Sequence, residues 1–234
     1  MNNKIELIIV MPVYNEEKLI PKSVESWINE LNKLNIKYEF HIYNDGSTDK
    51  TKDILDELQN TDNQLFIHNK NNSGHGSTIL NAYKNSINCK WIFQTDSDNE
   101  INAENFKYLW EKRENFDFLI GKRINKKQSF SRKLISSLSR ITVNIFYGNK
   151  VYDVNSPFRL MRTESFAEIF NKIPDNTFAP NLIISGITCV KKLRIFETEV
   201  NHTNRKEGTV SLKKLKLLKA ALLSFYQTIR FRFN

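Results

Sequence analysis

Short apolar runs punctuate the first half of the chain: IELIIV at 5–10, YEFHIY at 38–43, QLFIH at 64–68, KWIFQT at 90–95 and FDFLIG at 116–121. Each is rich in Ile, Val, Phe or Tyr, and most are bounded by turn formers, which is the pattern of buried strands. Between them the apolar spacing changes to a helical period. Leu19, Ile20, Val24, Trp27, Ile28, Leu31 and Leu34 form one stripe over 16–34. Further helices are predicted over 47–59, 77–86 and 102–113, the last opened by Asn102. Strand alternating with helix predicts an α/β fold with a mostly parallel central sheet and crossover helices.

The second half is less regular. A helix is predicted over 131–148, with Leu134, Leu138, Ile141 and Ile145 on one face. A strand at 156–162, helices at 163–170 and 179–192, and a strand at 193–200 follow. Residues 211–234 read as an amphipathic helix carrying Leu215, Leu218, Leu222, Phe225 and Ile229 on one face. No repeat or low-complexity linker interrupts the pattern. The expectation is one domain over 1–210 with a basic C-terminal helix over 211–234.

Charge adds a direction. The formal net charge is +9, and the excess sits in the second half. Lys122, Arg123, Lys126, Lys127, Arg132, Lys133 and Arg140 fall in one segment without an acid; Lys213, Lys214, Lys216, Lys219, Arg230 and Arg232 fall in another. Anionic partners are expected. Nucleic acid fits poorly, because these segments interleave aliphatic residues at helical spacing rather than stacking or base-reading groups. The final helix is suited either to an anionic membrane surface or to docking on its own domain. Cys89 and Cys189 show neither metal nor disulfide spacing, so a reducing compartment is expected. The opening MNNKIELIIVMP is too short to span a bilayer and lacks a cleavage site, so a cytoplasmic protein is expected, soluble or peripheral on the inner membrane face.

In sheets of this kind ligands bind beyond the carboxyl ends of the strands. There the chain places PVYNEE after the first strand, NDGSTD after the second, NKNNSGHG after the third and DSDNE after the fourth. Asp96 and Asp98 are hard oxygen donors one residue apart, suited to Mg²⁺ or Mn²⁺ together with phosphate. Asp45 can accept from a nucleotide base, while Tyr14 and Glu16 offer an aromatic face and a carboxylate for a nucleoside. Each cluster also has a plain reading: Asn15, Ser47 and Thr48 can cap the following helices, and Gly74 and Gly76 can serve close packing. His202 shows no metal spacing with the other histidines and reads as a bystander.

Together PVYNEE, NDGSTDKT, NSGHGSTILNA and TDSD resemble the donor half of glycosyltransferase family 2, in that family's order and approximate spacing. VNSPFRLMR and NHTNRKEGTVS resemble, more distantly, segments of its branch similar to dolichyl-phosphate mannose synthase and the bacterial polyprenyl-phosphate sugar transferases. The resemblance implies a GT-A nucleotide-sugar-binding fold and inverting transfer from a UDP-, GDP- or dTDP-linked sugar. By that likeness Pro12, Tyr14, Glu16, Asp45 and Ser47 hold the nucleoside, and Asp96 and Asp98 hold a divalent cation and the diphosphate. Glu100, where relatives often carry glutamine, is a third metal contact. Lys70 lines the donor floor, and Arg205 closes over the diphosphate.

The acceptor is a polyprenyl phosphate or a glycan, with Arg123, Arg132 and Arg159 on the acceptor side. A phosphate acceptor needs no base, whereas a sugar hydroxyl does. The acidic pair that many relatives carry near VNSPFR is absent, leaving Asp153 as the nearest base. Pro157 stands where the lipid-phosphate branch has glycine. The competing functions are a nucleotidyltransferase, disfavoured because PVYNEE replaces a Gly- and Arg-rich loop, and an inactive scaffold or basic anion-binding module.

Overall fold

The computed structural model describes residues 5–125, 130–203 and 214–233, with side chains of 130–132 and 214–218 left aside. Strands β1 (Leu7–Val13), β2 (Tyr38–Asp45), β3 (Leu65–Lys70) and β4 (Trp91–Gln94) alternate with helices α1 (Ile20–Lys33), α2 (Thr51–Thr61) and α3 (His75–Asn85). After β4 come a short 3-10 turn, α4 (Phe106–Lys112), β5 (Phe118–Ile124) and α5 (Phe130–Phe146). The chain continues with β6 (Arg159–Arg162), α6 (Thr163–Lys172), α7 (Pro180–Val190), β7 (Ile195–Asn201) and α8 (Lys214–Phe233).

The strands form one seven-stranded sheet in the order β3-β2-β1-β4-β6-β5-β7. β1 pairs parallel with β2 and β4, β2 with β3, and β5 with β7. β6 alone runs against its neighbours, antiparallel to β4 and β5. One edge of the sheet therefore collects the carboxyl ends of six strands and the start of β6.

Both faces of the sheet are covered, which is why β1 is buried at all seven positions. On one face Phe93 packs against Trp27, Phe106 and Phe158 with ring centroids 5.2, 4.7 and 4.9 Å apart. On the other, Tyr83 stacks on Phe170 from α6 at 4.9 Å, and α3, α6 and α7 share one core.

Three local expectations change. α1 starts at Ile20 rather than 16, with Pro21 in its first turn, where proline's missing N–H costs nothing. Asn15 is thus no helix cap but a turn residue at φ 53°. The 156–162 strand shortens to Arg159–Arg162 because residues 151–158 are held as a loop. The stripe Leu134, Leu138, Ile141 and Ile145 lies exposed, Ile145 at 70%, while the same helix buries Thr142 and Val143.

α8 docks through small side chains. Ala220, Ser224 and Thr228 are buried, and Leu222, Leu223, Phe225 and Tyr226 are exposed. The Tyr147 hydroxyl donates to the Thr228 carbonyl at 2.5 Å, Arg232 Nε to the Phe146 carbonyl at 2.9 Å, and the Phe178 amide to Gln227 at 2.8 Å. Among the described residues, no helix is long and apolar enough to cross a membrane.

Candidate active site

The turn after β1 and the turn after β2 are stitched together side by side. The Asn15 amide donates to Ser47 Oγ at 3.0 Å, and the Thr48 amide donates to Asn15 Oδ1 at 2.8 Å. The Glu16 amide donates to Thr51 Oγ1 at 2.8 Å, at the start of α2. Ser47 and Thr48 therefore bind the neighbouring turn, and the local contact at the start of α2 comes from Asp49, which accepts from the Thr51 amide at 3.0 Å. Pro12, inside β1, and Glu16 are both buried, whereas Tyr14 stands out at 41% exposure.

Asp45, at the end of β2, is buried and fully engaged. It pairs with Lys70, and its two oxygens accept the Ser73 and Gly74 amides, each at 2.9 Å. Burial alone would lift its pKa; the Lys70 ammonium and the Ser73 amide prevail and hold it below the usual carboxylate range. Lys70 is further held by Ser73 Oγ at 2.7 Å and Thr78 Oγ1 at 3.1 Å. Gly46 permits this arrangement: its φ is +70°, and a Cβ there would lie 2.7 Å from the Asn72 amide nitrogen.

Beyond β4 lies a pocket. Asp96, Asp98 and Glu100 line it together with Thr95 and Ile101; Arg123 from β5, Pro157 ahead of β6 and His202 after β7 complete it. Oδ1 of Asp96 is buried without a hydrogen-bond partner. Asp98 Oδ1 accepts the Glu100 amide at 3.1 Å, and His202 Nε2 lies 2.8 Å from Glu100 Oε2. Among the described residues, no three His, Cys, Asp or Glu side chains form a ready cage for a metal. Mg²⁺ and Mn²⁺ take part of their coordination from phosphate and water, so carboxylates on one side of an open pocket are chemically suited to them. The orphaned Asp96 oxygen is the group such an ion would satisfy.

The structure therefore brings Asp96, Asp98, Glu100 and Arg123 into one pocket, with Asp153 joined to it through Arg123. It does not bring Arg159 there. That side chain is fully buried and donates to the carbonyls of Val154, Ser156 and Asn181, so it is spent on holding backbone rather than exposed to an acceptor. Arg205 and the Arg132 side chain lie outside the described residues. His202, read from sequence as a bystander, lines the pocket; its only sequence signal is its place directly after a predicted strand.

Known proteins resemble the chain in sequence and in fold. The family model described as Glycosyl transferase family 2 matches residues 8–170. Over 213 residues the chain is 26% identical to an undecaprenyl-phosphate 4-deoxy-4-formamido-L-arabinose transferase of Proteus mirabilis, covering 90% of this chain and 64% of the relative. A transferase of the same description from Photorhabdus laumondii matches equally, at 26% identity over 90% of this chain and 64% of that protein. The chain thus spans less than two-thirds, 64%, of the length of these relatives. Among solved structures, Staphylococcus aureus TarS residues 1–349 with UDP-GlcNAc superposes at TM-score 0.60 and 21% identity, over 92% of this chain and 64% of that one. Glucosyl-3-phosphoglycerate synthase of Mycobacterium tuberculosis, with Mn²⁺, UDP and glucosyl-3-phosphoglycerate, superposes at 0.67 and 14%, over 97% and 80%. The architecture is the mixed α/β GT-A fold, and the chain belongs to glycosyl transferase family 2.

Proposed function

We propose that this protein is an inverting glycosyltransferase that moves a sugar from a nucleotide sugar to a polyprenyl phosphate at a membrane surface. The observation that carries this reading is the buried, partnerless Asp96 oxygen, in one pocket with Asp98, Glu100 and the Arg123 guanidinium. Acids alone would repel a diphosphate; acids that hold a cation attract it. Asp96, Asp98 and Glu100 are the residues that would hold a divalent cation, whose charge stabilises the departing nucleoside diphosphate. The curated relatives, named for undecaprenyl phosphate, support the acceptor class.

In the transfer, an anionic phosphate oxygen of the acceptor attacks the anomeric carbon of the sugar. The bond from that carbon to the donor's phosphate oxygen breaks, and the nucleoside diphosphate leaves with the electron pair. No proton has to be removed, so no general base is required. Arg123 draws the acceptor phosphate into the pocket. The Pro12–Glu16 turn and the Ser47 turn cradle the nucleoside, with the exposed Tyr14 ring available for stacking. Asp45 acts through Lys70 and the Ser73–Gly74 amides to shape the donor floor. By family likeness Arg205 is assigned to the departing diphosphate.

A lipid acceptor requires the site to meet a bilayer. Exposed Leu134, Leu138, Ile141 and Ile145 on α5, and Leu222, Phe225 and Phe233 on α8, lie in basic segments without an acid. Apolar side chains framed by Lys and Arg suit an anionic membrane interface. The buried cysteines Cys89 and Cys189, which share no disulfide, suit a cytoplasmic location.

The test is a melting-temperature screen with UDP-, GDP- and dTDP-sugars, with Mn²⁺ and then chelator, followed by transfer to a short polyprenyl phosphate. A donor that binds only the folded state raises the melting temperature by mass action. One donor should do so in a metal-dependent manner and support transfer, and Asp98→Ala should lose both. Absence of transfer to polyprenyl phosphate from any donor, with Mn²⁺ and anionic vesicles present, would refute the assignment.

A further inference from the structure

Resting on that reading, we infer that Asp153 is not the base of the reaction but a positioning residue, which aims the Arg123 guanidinium at the acceptor phosphate. The two side chains meet fork to fork. Arg123 Nε donates to Asp153 Oδ2 at 2.8 Å and Nη2 to Oδ1 at 2.9 Å; the Arg123 amide adds a third bond to Oδ2 at 3.1 Å. Nη2 also donates to the Asn155 carbonyl at 3.0 Å. A bidentate pair of this kind fixes the guanidinium in plane and direction as well as in charge. Nη1 makes no hydrogen bond to a described residue, and Arg123 lines the pocket beside Asp96 and Asp98. The pairing spends the Nε–Nη2 edge, the Asn155 carbonyl takes the second Nη2 hydrogen, and the Nη1 group is left for an anion.

The loop that carries Asp153 is fastened from three elements. Glu197 of β7 accepts the Asp153 amide at 2.9 Å. Ser185 of α7 donates to the Val154 carbonyl at 2.7 Å. Arg159 of β6 donates through Nη2 to Val154 and Ser156 at 3.2 and 2.6 Å, and through Nη1 to Asn181 at 3.2 Å. Arg159 is wholly buried, with no carboxylate partner among the described residues. Burial pushes its pKa down to about 10, which leaves it cationic at neutral pH. With Glu197 counted, Arg123, Asp153 and Arg159 belong to a neutral cluster, so the pull on an arriving phosphate comes from the direct hydrogen bonds of Arg123 and not from net charge.

A base must accept a proton on an oxygen that can reach a hydroxyl. Both Asp153 oxygens already accept charged donors, and protonation would leave a largely buried guanidinium unpaired. A carboxylate held this way fixes its partner; it does not shuttle protons.

The experiment uses the full chain with Mn²⁺, whichever of the UDP-, GDP- or dTDP-sugars the melting-temperature screen selects, and farnesyl phosphate as acceptor. Asp153→Asn keeps the shape but replaces one acceptor oxygen with an amide that faces the guanidinium. The acceptor KM should rise about tenfold, the worth of one charge-assisted contact, with kcat within about threefold and donor KM unchanged. A kcat loss of about a hundredfold or more at unchanged acceptor KM would make Asp153 the base and overturn the inference. Arg123→Lys provides a second readout if the first variant melts early: it keeps the charge but not the fork, and should raise the same KM. An unchanged acceptor KM in Arg123→Lys would equally overturn it. Wild-type protein that transfers nothing to a lipid phosphate would refute the function itself and this inference with it, an outcome distinct from a fall in kcat in one variant.

Discussion

Nε2 of His202, immediately after β7, lies 2.8 Å from Oε2 of Glu100, beyond β4. Two backbone contacts reinforce the junction: an isolated bridge joins Ile101 to His202, and the Thr203 amide donates to the Glu100 carbonyl at 2.8 Å. The end of one strand thereby sets the carboxylate that follows another. Groups that orient a metal-binding carboxylate typically carry tenfold or more of the metal affinity. His202→Ala should keep the fold yet weaken Mn²⁺ binding in the presence of donor by about tenfold, read by electron paramagnetic resonance titration of free Mn²⁺. An unchanged Mn²⁺ affinity would remove Glu100 from the proposed metal site.

A pair of histidines lies on the β2–β3 edge. His68 Nε2 and His41 Nδ1 are 3.1 Å apart, and His41 Nε2 reaches Glu39 Oε2 at 3.0 Å. A hydrogen bond between two imidazoles needs one of them neutral. Burial lowers the pKa of both rings, Glu39 offsets part of this for His41, and His41 lowers His68 further. A folded-state pKa below the unfolded value near 6.5 means that the unfolded chain takes up protons first. The stabilising contribution is present above about pH 6.5 and is lost as pH falls below it. Between pH 7.5 and pH 5, wild-type melting temperature should fall by about 2–4 °C more than that of His68→Phe, whose ring can still stack on Tyr43. Equal falls in the two proteins would show that the pair does not titrate with unfolding.

Much of this was legible in sequence because a buried parallel strand and a strand-end turn each leave a local signature. β1 through β5 and the acids after β4 follow from such patterns. The adjacency of β5 and β7 and the reversal of β6 do not, because sheet order depends on long-range pairing. Those two facts bring His202 into the pocket and turn Arg159 inward, so the one was overlooked and the other assigned to the acceptor. Helical stripes show which positions share a face and not which face is buried. On α5 the larger stripe is exposed, and α8 docks through Ala220, Ser224 and Thr228 instead.

That exposed surface yields a test of membrane contact. Deleting α8 would be uninformative, since its bonds to Tyr147, Phe146 and Phe178 tie it to the domain. Substitution at exposed positions leaves these contacts intact. Ile141→Glu with Phe225→Glu should lower sedimentation with phosphatidylglycerol vesicles by about tenfold or more and shift the melting temperature little, as each change loses apolar burial and adds like charge to an anionic surface. Unchanged vesicle binding, with wild type dimeric and the double variant monomeric, would assign the stripes to a second copy of the chain.

Two glycines at the start of α3 should behave differently, although sequence offers the same packing account for both. A Cβ on Gly76 would lie 1.9 Å from the Phe178 carbonyl oxygen and 2.6 Å from that of Thr177. Both obstacles are backbone, and the Phe178 amide is itself tied to Gln227 of α8 at 2.8 Å, so the segment cannot simply step back. Gly74 has open space around its Cβ position but a φ of +87°. Gly76→Ala should therefore cost about 3 kcal/mol or more by overpacking against backbone, and Gly74→Ala about 1–2 kcal/mol by strain at φ +87° and ψ 156°, a region open essentially to glycine alone, both read from urea unfolding. The order matters more than the sizes. Moving α3 off the Phe178 segment would also displace the Gly74 amide from Asp45, so Gly76→Ala should weaken donor binding as well as stability. If Gly74→Ala proved the costlier change, close packing of α3 against 177–178 would not be what fixes the donor floor.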